Sequence, residues 1–197
     1  MIRNMPSTCA ILLMSILATG CASTELVNSW RDPAYNQTVT SLVVMGVSKQ
    51  ASVRRVFEDE FAAQLRSRGI RAIPSYTLIN EDGPLGEERL RAAIESANTD
   101  GVIITRLVRV KDVTRTTTGP TTAPYYYGYY SRAWVGYYDP VVQQYEVVTL
   151  ETTIFALGRA EPVWSGTTET FAPEDVKKET AGIAKAVMKA LEKEGLI

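Results

Sequence analysis

Glu58, Asp59 and Glu60 stand in succession, with Arg54 and Arg55 four residues ahead of Glu58 and Asp59. Adjacent carboxylates can do general acid–base chemistry when they converge on one substrate atom. On a helix, however, neighbours in sequence point to different faces, and a spacing of four brings each arginine alongside its acid. These residues therefore read as a solvated helix face laced with ion pairs. A second group, Asn80, Glu81, Asp82, Glu87 and Glu88, offers the oxygen ligands that a hard cation such as Ca²⁺ takes. The spacing is not that of an EF-hand loop and Pro84 interrupts it, so acids ahead of a helix N-terminus account for the group and no metal is expected. Ser48 and Lys49 are neighbours, which does not set the amine beside the hydroxyl, and no serine has lysine three residues on. The chain has no histidine, which removes the commonest general base and the commonest metal ligand. No catalytic residue and no cofactor are expected.

The two cysteines tell more. Met1–Ser7 carries a single charge, Arg3, and Ala10–Ala18 is an apolar run too short to span a bilayer. Ala18, Thr19 and Gly20 then lead directly into Cys21. A charged start, a short apolar stretch and small residues at the cut describe a secretory signal peptide. The cysteine directly after them resembles the lipobox of bacterial lipoproteins. That resemblance implies cleavage before Cys21, lipidation of its thiol with palmitate-type acyl chains, and acylation of the new amino terminus. Residues 1–20 are then a signal peptide. By resemblance to the sorting rule of enterobacterial lipoproteins, Ala22 in place of aspartate implies the outer membrane, with the protein in the cell envelope facing the periplasm. Cys9 leaves with the signal peptide, so the mature domain has no free thiol and no disulfide.

Arg3 is the only charge removed, and the chain's 21 basic and 22 acidic residues stay almost balanced. Without a basic cluster, nucleic acid is not an expected partner. The expected partners are the membrane, through the N-terminal lipid, and an envelope protein, a glycan or a second copy of the chain.

Residues 21–29 read as a polar tether and residues 30–197 as a single α/β domain. Thr38–Val47 is a buried strand rich in Val and Leu. Ser52 is placed to cap a helix whose apolar stripe is Val53, Val56, Phe57, Phe61 and Leu65, ended by Gly69. Arg71–Tyr76 is a short strand, Gly86–Ala97 a helix and Val102–Val113 a long strand. Tyr145–Ala156 alternates, and a turn at Gly158–Pro162 leads into Val163–Phe171 as a hairpin. Pro173 in a first turn opens a last helix that buries Val176, Ile183, Ala184, Val187, Met188 and Leu191, ended by Gly195. The class is α+β, with the order β-α-β-α-β-β-β-α. Right-handed crossovers make the first three strands parallel, and the hairpin completes a mixed five-stranded sheet with helices packed on it.

Residues 114–140 are an insertion of another kind. Seven of the ten tyrosines lie between 125 and 138. Tyr125, Tyr126, Tyr127, Tyr129, Tyr130, Tyr137 and Tyr138, with Trp134, have the composition of a contact surface: large rigid rings with a polar tip.

The succession Ser29-Trp30-Arg31-Asp32-Pro33, then Phe57-Glu58-Asp59-Glu60-Phe61 with Leu65 and Gly69, then Val163-Trp164-Ser165-Gly166, resembles a family of uncharacterised bacterial lipoproteins with a domain of unknown function. Many of these carry a Gly/Tyr/Trp-rich segment ahead of an alternating strand and a Val-Trp-x-Gly strand. The resemblance implies no catalytic residues. The expected function is a non-catalytic binding or assembly module acting through the Tyr-rich segment. The alternative is a carboxylate-dependent hydrolase acting on envelope glycans, which would need two acids about 5–10 Å apart in a cleft.

Overall fold

The computed structural model describes residues 24–79, 86–117, 141–159 and 161–197. Cys21 and the tyrosines from 125 to 138 lie outside the described residues, as do Asn80, Glu81 and Asp82. The elements are β1 (Thr24–Arg31), β2 (Ser41–Val47), α1 (Ala51–Arg66), β3 (Arg71–Pro74), α2 (Glu87–Ser96), β4 (Gly101–Thr117), β5 (Val141–Ala156), β6 (Pro162–Phe171) and α3 (Val176–Lys193). They form an α+β fold around one mixed sheet of six strands, in the order β1-β6-β5-β4-β2-β3.

The expected count of five strands is corrected by β1, which occupies most of the stretch read as a tether. It pairs antiparallel with β6 from Thr24↔Thr170 to Arg31↔Trp164, with a bulge between Leu26 and Asn28. As an edge strand it needs only one covered face, so it never shows the apolar run by which a buried strand is recognised.

β2, β3 and β4 are parallel, as expected. The step from β2 to β3 and the step from β3 back past β2 to β4 run in opposite directions. Right-handed crossovers therefore put α1 and α2 on opposite faces. On one face α1 and α3 enclose Leu42, Val44, Ile103, Ile154 and Trp164. On the other, Ile94 and Ala97 at the end of α2 pack on Val43 and Val102.

Helices α1 and α3 end as their glycines predict. Gly69 and Gly195 take φ of +82° and +69°. The amides of Ile70 and Leu196 reach back to Leu65 O and Leu191 O at 3.2 and 2.8 Å, satisfying carbonyls the helix leaves over. The N-termini differ from expectation. α1 is capped by Gln50 rather than Ser52 and has no side-chain cap bond. α3 is capped by Asp175, which accepts from Lys178 N at 2.7 Å, so Pro173 precedes the helix. Val176 is exposed rather than buried, because it opens the helix.

The lower end of the sheet, where β2 and β4 begin, is clamped by Asp100. Its Oδ2 accepts from Thr40 N at 2.7 Å, Thr40 Oγ1 at 2.8 Å and Ser41 N at 2.8 Å. Burial works to raise the carboxyl's pKa, but the bonds from Thr40 and Ser41 prevail and hold it below the ordinary value of 3.8. A depressed carboxylate contributes stability above its unfolded pKa and loses it as pH falls through the folded value. Asp100→Asn is therefore expected to lower the thermal stability at pH 7, with the gap from wild type closing below about pH 4. Melting curves at pH 7, 5 and 3 check this, and a gap of constant size would contradict it.

Candidate functional site

β4 and β5 are longer than the sheet that holds them. β2 accompanies β4 only as far as Val47↔Arg106, and β6 accompanies β5 only from Val147↔Phe171 onward. Among the described residues, the two strands pair with each other alone from Asp112↔Glu146 to Thr117↔Val141. Six residue pairs at about 3.4 Å each make a two-stranded ribbon roughly 20 Å long. Residues 118–140 connect its two strands in sequence, so the Tyr-rich segment is attached at the ribbon's tip. Residues 114–117, assigned to the insertion from sequence, belong to β4.

At the ribbon's base Leu107 faces Leu150 and Val110 faces Val148, while a bulge between Leu107 and Arg109 turns the strand. Leu107, Val108 and Val110 are all about half exposed. On the opposite face Arg106 Nε donates to Glu151 at 2.6 Å, and Arg109 lies 3.6 Å from Glu169. With Lys111, these ion pairs put charge along the outer part of β4, which disfavours pairing with another chain.

The acidic run of α1 is only in part the solvated face expected of it: Asp59 is exposed, while the expected Arg54–Glu58 ion pair forms in the interior. Glu58 is completely buried and Arg54 nearly so, whereas Val56 of the anticipated apolar stripe is 41% exposed. Glu58 Oε1 accepts from Gly46 N at 3.0 Å and Ser75 Oγ at 2.7 Å, and its Oε2 accepts from Tyr76 N at 2.9 Å. Arg54 Nε stands 3.3 Å from Oε1. Gly46 lies in β2 past the end of its pairing with β3, and Ser75 and Tyr76 follow β3, so the amides of Gly46 and Tyr76 have no partner in that ladder. The helix turns Glu58 inward because those donors need an acceptor. The carboxylate is consumed by these bonds, and this cluster fastens α1 to the sheet.

Outside it, the Tyr76 hydroxyl donates to Asp59 at 2.6 Å under the Arg55 guanidinium. That bond is the main reason its pKa is raised above the ordinary value of 10.0. Ser48 Oγ only accepts from Gln50 N at 3.1 Å. Glu87 is exposed and pairs with Arg91 at 2.8 Å. Among the described residues no three metal-capable side chains converge.

A cleft of about 320 Å³ opens at the far end of the sheet from the ribbon, lined by Tyr35, Asn36, Gln37, Leu157 and Arg159. Arg159 donates to Asp32 at 2.7 Å and lies 5.6 Å from the centre of the Tyr35 ring. Its charge is matched by Asp32, so it ties the turn after β5 to the segment after β1. Burial, with the nearby Asp100 charge, raises the Tyr35 hydroxyl's pKa despite Arg159.

The Trp30-Arg31-Asp32-Pro33 and Val163-Trp164-Ser165-Gly166 segments meet in space. Arg31 donates to the carbonyl oxygens of Glu194 and Tyr35. Trp164 Nε1 and Ser29 Oγ both donate to the Glu194 carboxylate, at 2.9 and 2.7 Å. The Trp164 ring lies along β6 over Gly166, where a Cβ would come within 2.4 Å of it. These residues lock the end of α3 onto β1 and β6.

No family model and no curated protein matches this chain. Among solved structures it is similar to the PelC dodecamer from Paraburkholderia phytofirmans in two crystal forms, one of them a point variant. Each is 16% identical with a TM-score of 0.46, over 84% and 83% of this chain and 95% and 94% of the other. A likeness at this level transfers no residue role, ligand or assembly. Sequence reading missed the Glu58 network and the ribbon. Residues 110–114 (Val, Lys, Asp, Val, Thr) do not alternate, so the ribbon left no periodic signal.

Proposed function

We propose that this chain is a lipid-anchored protein of the bacterial envelope, held at Cys21, that acts as a non-catalytic binding or assembly module through its Tyr-rich segment. The observation that carries this reading is the β4–β5 ribbon, which runs past the other four described strands and whose two strands the segment joins in sequence. A two-stranded ribbon is marginally stable alone in water, so contacts made at its tip have mechanical purchase on the sheet and little influence on the core. The outer membrane facing the periplasm is the site of action, and a second copy of the chain is among the partners the module can take.

The test separates contact from packing. Replacing Tyr125, Tyr126, Tyr127, Tyr129 and Tyr130 together with serine is expected to leave the melting temperature nearly unchanged, since exposed substitutions cost about 0.5 kcal/mol or less against about 3–5 for a buried ring. Recovery of envelope proteins or glycans on the immobilised domain should fall several-fold. A large drop in melting temperature would put the rings in the core and end this reading, and so would unchanged stability with unchanged recovery from every envelope fraction.

A further inference from the structure

The end of the sheet that carries the ribbon is also the end at which the chain enters it. Thr24 pairs with Thr170, Thr170 with Val148 and Val148 with Val110, so the first residue of β1 shares a rung with the ribbon's base. Arg31, at the other end of β1, shares a rung with Trp164, Ile154 and Ile103 at the far end of the sheet. We infer that the ribbon end of this domain lies against the lipid surface, with β4 and β5 reaching the headgroups and the Tyr35–Arg159 cleft facing away. This rests on the proposed lipid anchor at Cys21.

Only Ala22 and Ser23 separate Cys21 from Thr24, three residue steps with a reach of about 10 Å. The far end of β1 is seven residues further along, roughly 24 Å at about 3.4 Å each. With acyl chains in the bilayer and a tether this short, the body cannot point inward without driving buried, hydrogen-bonded backbone into lipid. It must point outward. The ribbon then points inward, its tip seven pairs or about 24 Å beyond the rung of Thr24. Sheet twist of about 20–25° per strand splays β1 and β4 by roughly 60–75°. Even with β1 upright, the tip still falls about 10 Å below Thr24, as far as the tether itself reaches.

The distribution of apolar surface agrees independently. Val47, Val56, Leu107, Val108, Val110 and Val176 are all exposed at the ribbon end or on the helix turns that start there, whereas the far end exposes Trp30 and Leu157.

The mature chain offers a clean experiment, because Cys9 is removed and Cys21 is blocked by lipid. Thr114→Cys in the ribbon and Gln37→Cys at the far end, both at exposed positions, would each carry one thiol-coupled fluorophore. The full-length lipidated proteins are reconstituted into vesicles containing a headgroup-nitroxide lipid, and flotation of wild type and Cys21→Ser is read alongside. The expected result is flotation of wild type alone, with fluorescence at Thr114→Cys reduced at least twofold and Gln37→Cys unchanged. Equal quenching at both positions in a floating protein, or stronger quenching at Gln37→Cys, overturns the orientation and leaves the anchor standing. Failure of wild type to float overturns the anchor, and the orientation with it.

Discussion

Replacing Glu58 with alanine is expected to destabilise the domain by about 3–5 kcal/mol, the usual cost of removing one partner from a buried ion pair. For a chain of this size that is a fall in melting temperature of roughly 6–20 °C. The loss is large because the change leaves more than one group behind. Gly46 N, Tyr76 N and Ser75 Oγ keep their hydrogens in a dry site, and the Arg54 guanidinium loses the acid beside it. Glu58→Gln keeps the volume and one good acceptor but turns an amide NH₂ toward donors, so its cost should lie between alanine and wild type. Thermal or urea denaturation of the three proteins checks the order. A loss below about 1 kcal/mol for Glu58→Ala would mean that water replaces the carboxylate freely and that the network does not hold α1. Recovery of envelope partners by the folded variant should be unchanged, since the site lies away from the ribbon's tip.

Trp164→Ala should cost a similar amount, about 3–5 kcal/mol. Trp164 is completely buried among Val163, Val187, Leu191 and the other residues of the larger core cluster. Removing it opens a cavity and also takes the indole donor from Glu194. The neighbouring glycine gives a sharper test. In Gly166→Ala the new methyl would sit 2.4 Å from Trp164 Cη2 and 3.2 Å from Leu26 Cδ1, so the ring or the strand must shift, at about 1–3 kcal/mol. Trp164→Phe shortens the ring where the methyl intrudes. The double variant Trp164→Phe with Gly166→Ala should therefore be less destabilised than the two single losses added together, by more than about 0.5 kcal/mol. Strict additivity in a double-mutant cycle would show that Trp164 and Gly166 are not a packed pair, and the Val-Trp-x-Gly segment would need another explanation.

Much of the architecture could be read from local pattern. Gly69 and Gly195 announce the ends of α1 and α3, because a positive φ just past a helix is cheap only for glycine. The alternation of Val148, Leu150 and Ile154 announces a strand covered on one side. Two crossovers of one hand then require parallel β2, β3 and β4. None of these steps needs a contact between distant parts of the chain.

What the sequence by itself determined is therefore the set of elements with an apolar face, the glycines that end two of the helices, and the parallel core of the sheet, all of which follow from backbone sterics and hydrophobic period. The tertiary structure alone decided that Thr24–Arg31 is a strand, that Glu58 is buried while Val56 is exposed, and that β4 and β5 run on into a free ribbon beside the chain's point of entry. An edge strand is stabilised by the ladder its neighbour offers, and a buried carboxylate by donors from Gly46, Ser75 and Tyr76. A ribbon is recognised only by where its partners stop. Each depends on groups brought together from other parts of the sheet, and no local pattern of apolar residues encodes them.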